Sequence, residues 1–399
     1  MAIDFQQIYT KIQEIGIGAR ERRERIENLR VHARHLLEEN ADELDYLRRI
    51  VEIVKEMDPN IRCALPLNES LASHVPPPAS VKEATLIAAD GSQVFPDRNL
   101  AVQYCIINTG SIAMRLNSGK VPDIATETEL FLEDEWETQF GPATEGMIAL
   151  HRDFRERSKL EEFAKNYRQS IVTIADGPME LWEPKGFEEL RAFEKLQKDY
   201  LGVLSRLQSK GIITAGYIDN PRENLFVRLL ELVEAQREKE PPSNFRDYHP
   251  LRGVSDRWLY GEKSDPLLDP GERSAVFAIQ SKSEKYYKGV LGLHFFYLNV
   301  GTERHPYPVR VEIPKWVADD PNKLDLLHAV LVDQCRMMGS KPYPYLLHRA
   351  HEIAVVKHEE KYQVEQMLEM ELRKQDAEMD EKSYKQVPKD HQGRTRYKK

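Results

Sequence analysis

The sequence predicts an α/β protein: a mixed sheet flanked by helices, preceded by a helical arm and followed by a charged helix and tail. Three observations carry this. Two apolar runs end on the same letters, Thr85-Leu86-Ile87-Ala88-Ala89-Asp90-Gly91-Ser92 and Ile171-Val172-Thr173-Ile174-Ala175-Asp176-Gly177-Pro178. Each reads as a short buried strand that delivers one Asp to its C-terminal edge before a turn. Stretches with apolar residues at helical spacing lie between and after them, and densely charged helical patterns occupy both ends of the chain.

The 399 residues are 41% hydrophobic and 31% charged, enough for a full core in one large domain or two. No stretch approaches the roughly 20 apolar residues of a membrane span. The start, Met1-Ala2-Ile3-Asp4-Phe5, lacks the basic-then-apolar order of a signal peptide. Cys63, Cys105 and Cys335 are too few and too dispersed for a disulfide framework or zinc knuckle, so a reducing cytoplasm is expected. A net charge of -9 argues against a basic nucleic-acid coat but leaves room for a local basic groove.

Residues 1 to about 58 read as helix. Ile8, Ile12 and Ile15, then Ile26, Leu29, Leu36 and Leu37, then Leu44, Leu47, Ile50 and Val54 recur at helical spacing, with Gly16 and Gly18 marking a break. Pro66 and Pro76-Pro77-Pro78 mark a linker into the first strand. After Asp90, a second strand covers Leu100 to Asn108, a Thr-Gly-Ser turn follows, and a third runs from Ile124 to Leu132. The acidic run Glu127, Glu129, Glu133, Asp134, Glu135 and Glu137 reads as a solvated face. A helix is expected from Thr144 to Tyr167, then the strand to Asp176, a helix from Phe187 to Leu207, and a strand from Ile212 to Ile218. Two further strands are expected at Leu291 to Val300 and Val309 to Pro314. Near the end, Pro344 suits the first position of a helix, with Tyr343 on the cap side and His351 two turns on.

Neighbouring strands would bring Asp90 and Asp176 together. Two carboxylates so placed repel unless a cation lies between them, which suggests a divalent metal. Asp-Gly alone has a plainer use as a turn after a strand. Three strands, a helix, a strand, a helix and a strand is an order that resembles a ribonuclease H-like core. In that fold, catalytic carboxylates lie on the first strand, the first helix and the end of the fourth strand. Asp90 and Asp176 fall on the strand positions, and the helix offers Glu156, Glu161 and Glu162. A six-residue strand spans roughly 20 Å, which a helix covers in about 13 residues. Counting back that far from Tyr167 favours Glu156, with Glu161 as the rival.

The chain resembles the NurA nuclease family. The resemblance rests on Ala89-Asp90-Gly91-Ser92, Ala175-Asp176-Gly177-Pro178, Ser255-Asp256-Arg257, Gly271-Glu272-Arg273-Ser274, Arg310-Val311-Glu312-Ile313-Pro314 and the run from Tyr343 to His351, in order from about residue 85 to 355. It implies domains at 1–78 (arm and linker), 79–355 (nuclease) and 356–399 (charged helix and basic tail). It implies a manganese-dependent DNA nuclease, with magnesium as the alternative cation, acting as a 5'-3' exonuclease and single-strand endonuclease in DNA end resection and repair. A HerA-type hexameric translocase is the implied partner and a homodimer the implied state. By the same resemblance Asp90, a helical Glu, Asp176, Tyr343 and His351 form the site. Asp90, Glu156, Asp176 and His351 would ligate metal, which activates water and neutralises charge on the scissile phosphate. Arg252, Arg257 and Arg273 are candidates for contacts to the DNA backbone.

Two alternatives of other classes stand beside this. An actin-like ATPase shares the fold family and uses Asp-Gly turns as phosphate loops, but neither turn here continues into a Gly-rich loop. A non-catalytic adaptor built on the terminal helices would leave DNA intact. From His358 to Met379 a charged helix is expected, then a basic tail from Lys382, with Lys385, Lys389, Arg394, Arg396, Lys398 and Lys399. The tail reads either as a solvated segment or as an arm that tethers DNA by releasing counterions.

Overall fold

Glycine breaks the first helical stretch where its spacing places the break. In the computed structural model, α1 (Phe5–Ile17) ends at Gly18, α2 (Ala19–Glu39) starts beyond it, and α3 (Leu44–Met57) follows. The structure describes residues 4–375 apart from 82, 98–99, 101, 169, 239–241, 243 and 262–265. Helix α3 buries Leu47, Ile50, Val51 and Val54, one apolar stripe at i, i+3, i+4 and i+7. Helix α1 buries none of its side chains. The proline-marked stretch is more than a linker, since it contains two short strands, β1 (Cys63–Pro66) and β2 (His74–Val75).

The central part of the chain follows the expected order with one addition, the helix α4 that the end of the acidic run forms: β3 (Thr85–Val94), β4 (Tyr104–Arg115), β5 (Asp123–Leu132), α4 (Glu133–Phe140), α5 (Glu145–Ala164), β6 (Ile171–Asp176), α6 (Phe187–Ser209) and β7 (Ile213–Ile218). Next come α7 (Leu225–Arg237), α8 (Asp256–Tyr260), β8 (Arg273–Ser274), β9 (Phe277–Gln280), β10 (Leu293–Asn299), β11 (Pro308–Pro314), α9 (Lys315–Ala318) and α10 (Pro321–Arg336). Helices α11 (Tyr345–Ala354) and α12 (His358–Lys374) close the described chain. No helix among the described residues is long and apolar enough to cross a membrane. The expected basic tail from Lys382 lies outside the described residues.

The chain divides into two compact units, along lines other than the expected 1–78, 79–355 and 356–399. One unit combines Met1–Ala79 with Ile218–Val332, so the N-terminal arm belongs with the second half of the chain. There β1, β9, β10 and β11 pair antiparallel in that order, with β8 joining β2 to β10. Phe226, Tyr260, Phe277, Phe295 and Tyr297 fill its core with stacked and edge-on rings. The buried Asp256 carboxylate caps α7, accepting from the Phe226 and Val227 amides at 2.8 and 2.7 Å and from the Tyr297 hydroxyl at 2.6 Å.

The other unit, Ser80–Tyr217 with Asp333–Lys399, holds the mixed sheet that carries Asp90 and Asp176. Its strand order is β7-β6-β3-β4-β5. Strands β3, β4 and β5 form an antiparallel meander, and β6 and β7 run parallel to β3. Helix α12 lays Val364 and Leu368 over Val94, Leu100, Tyr104 and Ile106. The acidic run sits on edge strand β5 and on α4, and Glu127 and Glu129 pair with Lys159 and Arg155 of α5.

Two expected turns are not turns. Strand β3 continues through Gly91 and Ser92 to Val94, and β4 continues through Thr109, Gly110 and Ser111 to Arg115. Both glycines instead make room for helices. A Cβ on Gly91 would lie 2.6 Å from Cγ of Arg152 and 2.8 Å from Oε1 of Glu156, both on α5. A Cβ on Gly110 would lie 2.7 Å from the Ala354 nitrogen and 2.8 Å from the Ala350 oxygen, both on α11. At Gly177 the expected turn is present. Its φ of +84° suits glycine, and its amide donates to the Tyr217 carbonyl at 2.9 Å.

Candidate functional site

Strands of unequal length create the site. Ala89 of β3 lies in register with Ala175 of β6, so Asp90 and Asp176 stand level on adjacent parallel strands. There β6 stops, whereas β3 continues to Val94 along β4. Asp90 therefore borders a notch that β6 no longer fills. The notch opens into a small cleft of about 120 Å³ lined by Asp90, Arg152, Asp153, Glu156, Arg157 and Asp176.

Alternation along β3 assigns its two faces. Asp90 pairs with Gly110 across the antiparallel ladder, so both point to the face that carries α11. On that side His351 Nδ1 lies 2.6 Å from Asp90 Oδ2. Asp90 Oδ1 accepts from the Gly91 amide at 2.9 Å. The C-terminal end of α11 is held close by. The Ala354 carbonyl accepts from Ser92 Oγ at 2.5 Å and from Asn108 Nδ2 at 2.6 Å, and the Val356 amide donates to Ser92 Oγ at 3.2 Å. Tyr343, just before α11, donates its hydroxyl to Asp176 Oδ1 at 3.1 Å, and its ring meets Tyr217 edge-on at 5.4 Å. Pro344 is the cap residue and Tyr345 opens the helix, one position later than expected.

Gly91 points to the opposite face, where α5 approaches. Glu156 is 4% exposed. Burial, with the charge of Asp153 added, pushes its carboxyl well above the ordinary 4.5; Arg152 opposes this, and Asp90 reinforces it. Arg152 lies 3.3 Å from Glu156 Oε1, contacts Asp153 Oδ1 through Nε at 3.1 Å and Nη2 at 2.5 Å, and donates from Nη1 to Gln93 Oε1 at 3.0 Å. Arg157 is buried and donates to the Ala215 carbonyl at 2.8 Å. Glu161, the rival ligand, is engaged elsewhere. Lys210 and Lys165 hold its carboxylate at 2.8 and 3.1 Å, with Arg206 at 3.6 Å. These cations outweigh its desolvation and keep its pKa low.

The structure thus gathers Asp90, Glu156 and Asp176 around one cleft and attaches His351 and Tyr343 to two of them. Among the described residues, no three His, Cys, Asp or Glu side chains are grouped closely enough to hold a metal ion as they stand. Arg152, Asp153, Arg157, Ser92 and Asn108 were missed in the sequence. Arg152 and Asp153 had a readable signal, since they lie four and three residues before Glu156 and so share its helix face. The three proposed DNA-contact arginines belong to the other unit. Arg252 is exposed. Arg257 lies 4.1 Å over the Tyr307 ring and donates to Asn220 at 2.8 Å. Arg273 is corrected: at 5% exposure its guanidinium donates to both Glu69 oxygens at 3.1 and 3.0 Å and to the Ser274 carbonyl at 2.8 Å. That makes it an internal counter-ion with no surface for a DNA strand.

A family model described as the NurA domain matches residues 84–356. No curated protein matches the chain. Among solved structures, it is similar to the NurA nuclease from Sulfolobus solfataricus at 14% identity and a TM-score of 0.49, over 93% of this chain and 98% of that one. It is also similar to the catalytic domain of human Endonuclease V, at 12% identity and a TM-score of 0.32, over 71% of this chain and 83% of that one. Drosophila Piwi is similar at 11% identity and a TM-score of 0.29, over 67% of this chain and 29% of that one.

Proposed function

The chain belongs to the NurA family, and from that premise we propose that it is a metal-dependent nuclease that hydrolyses DNA phosphodiesters at the cleft between β3, β6 and α5. One observation supports this above the rest: Asp90, Asp153, Glu156 and Asp176, from two parallel strands and one helix, line a single cleft. Four carboxylates against the two arginines of the same cleft, Arg152 and Arg157, favour a further cation there. The donor types fit a hard divalent ion, since carboxylate oxygens dominate and one imidazole adjoins them. Asp90, Glu156, Asp176 and His351 would hold manganese, or magnesium in its place. A divalent ion held by these residues would supply a water of lowered pKa and neutralise charge on the scissile phosphate.

The protein's own groups keep these oxygens in place. His351 fixes the direction of the Asp90 carboxylate, and its contact leaves Oδ1 with the Gly91 amide. Tyr343 does the same for Asp176 through its hydroxyl. Ser92 and Asn108 anchor the end of α11 and so hold His351 to Asp90. Preorganisation of this kind removes reorganisation cost from the chemical step.

The finer properties rest on the family resemblance. They are 5'-3' exonuclease and single-strand endonuclease action in DNA end resection and repair, a HerA-type hexameric partner and a homodimeric state; a cytoplasmic setting rests instead on the three dispersed cysteines. End-labelled single- and double-stranded DNA, incubated with the purified chain and manganese, magnesium or chelator, tests the activity and its polarity. Loss of cleavage with chelator and recovery with manganese is the expected result. Intact DNA with either metal would defeat the proposal.

A further inference from the structure

We infer that Arg152 is a built-in stand-in for the metal's charge, which must leave the carboxylates when the ion binds and is then free to face the phosphate. The inference rests on the nuclease reading above and concerns a residue that reading does not use. The Arg152 guanidinium touches two of the four cleft carboxylates, Asp153 and Glu156. It is also electrostatically coupled to a third, Asp90. Glu156 Oε1 thus faces a guanidinium in a cleft whose carboxylates would otherwise repel one another. Breaking such a buried pair without a replacement is costly, so a cation that takes Glu156 Oε1 exchanges with Arg152 there.

The backbone is shaped for this residue. The would-be Cβ of Gly91 falls 2.6 Å from Cγ and 3.1 Å from Cδ of Arg152, so the arginine stem lies directly over the strand. Only glycine leaves that path open. Gln93, two residues along on the same strand face, accepts from Nη1 at 3.0 Å and gives the guanidinium a neutral anchor. That anchor does not compete with the metal. A guanidinium released from Asp153 and Glu156 but still near Gln93 borders the cleft, where its planar donors match the oxygens of a phosphodiester.

The test separates electrostatic competition from simple packing. Arg152→Met keeps the apolar stem and removes the charge. Calorimetric titration of folded, DNA-free protein with manganese should show affinity rising about tenfold, because the competitor is gone. Single-turnover cleavage by the same variant at saturating manganese should fall about 100-fold, the usual scale for losing one preorganised donor. In the wild type, the Arg152 Nε–Hε NMR signal should shift on adding magnesium without DNA. Unchanged or weaker manganese binding by Arg152→Met, or an unmoved Nε–Hε signal in wild type that binds magnesium, overturns Arg152's role while leaving the nuclease reading intact. A wild-type protein that binds neither metal overturns both.

Discussion

Asp90 and Gly110 face each other across β3 and β4, and the side chain Gly110 lacks is what lets α11 bring His351 to within 2.6 Å of the Asp90 carboxylate. A methyl group there would stand 2.7 Å and 2.8 Å from backbone atoms of Ala354 and Ala350, which cannot yield as a side-chain tip can. Gly110→Ala should therefore push α11 outward. The expected cost is about 1–3 kcal/mol of stability, as for other overpacking changes, with cleavage falling further than stability accounts for. A denaturant melt together with a cleavage assay checks both. Full activity in a variant of unchanged stability would show that α11 does not depend on this close approach.

The two helical glutamates should respond oppositely. Glu156 is buried with a raised pKa, so in the metal-free folded protein its ionised form is unfavourable. Below about pH 4.5 both folded and unfolded states hold the proton and the group is neutral to stability; above it, ionisation opposes folding. Glu156→Gln should thus raise the metal-free melting temperature at pH 7, by about 2–4 °C per kcal/mol relieved, and abolish cleavage. Glu161 has a lowered pKa and holds Lys165 and Lys210. Glu161→Gln should cost about 1 kcal/mol, because its partners are half-exposed, and leave cleavage nearly intact. The two melting curves at pH 7, with chelator present, decide between these opposite signs.

His151 predicts an acid limit to stability. Its ring packs against Trp136 and Phe140 at 4.9 and 4.6 Å, and burial lowers its pKa from 6.5 to about 4. The folded state keeps it neutral while the unfolded state protonates, so stability is lost as pH falls from 6.5 to about 4. At about 1.4 kcal/mol per unit the loss approaches about 3 kcal/mol. His151→Phe should flatten that part of the stability profile while retaining the aromatic contacts. An unchanged slope between pH 6.5 and 4 would assign the acid sensitivity to other groups.

What the sequence could reveal of the fold depended on how local the cause was. Asp176-Gly177 and Asp90-Gly91 are the same two letters after similar strands, and only the first makes a turn. Gly177 takes a positive φ at the strand's end, a local demand that the glycine itself advertises. Gly91 remains in the strand because α5 crosses it, and nothing nearby in sequence encodes that crossing. The meander and the level placement of Asp90 and Asp176 were legible because strand-and-helix order is written in hydrophobic periodicity. The placement of Glu156, rather than Glu161, beside the strand ends was legible because helix and strand lengths must match. Arg152 was hard to read because a charged residue on a charge-rich helix looks like part of a solvated face, although its spacing from Glu156 was visible. The strands β1 and β2 were hidden among prolines, since their partners lie some two hundred residues away.

The central claim is that the level pair Asp90 and Asp176 is where a cation and a DNA phosphodiester meet. Single-turnover cleavage of end-labelled DNA with manganese, by wild type, Asp90→Asn and Asp176→Asn, tests it most directly. Both variants keep the shape of the carboxylate and should stay folded. The account predicts that each loses cleavage by about a thousandfold, several kcal/mol of transition-state stabilisation. A folded Asp90→Asn or Asp176→Asn protein that cleaves at the wild-type rate would contradict it.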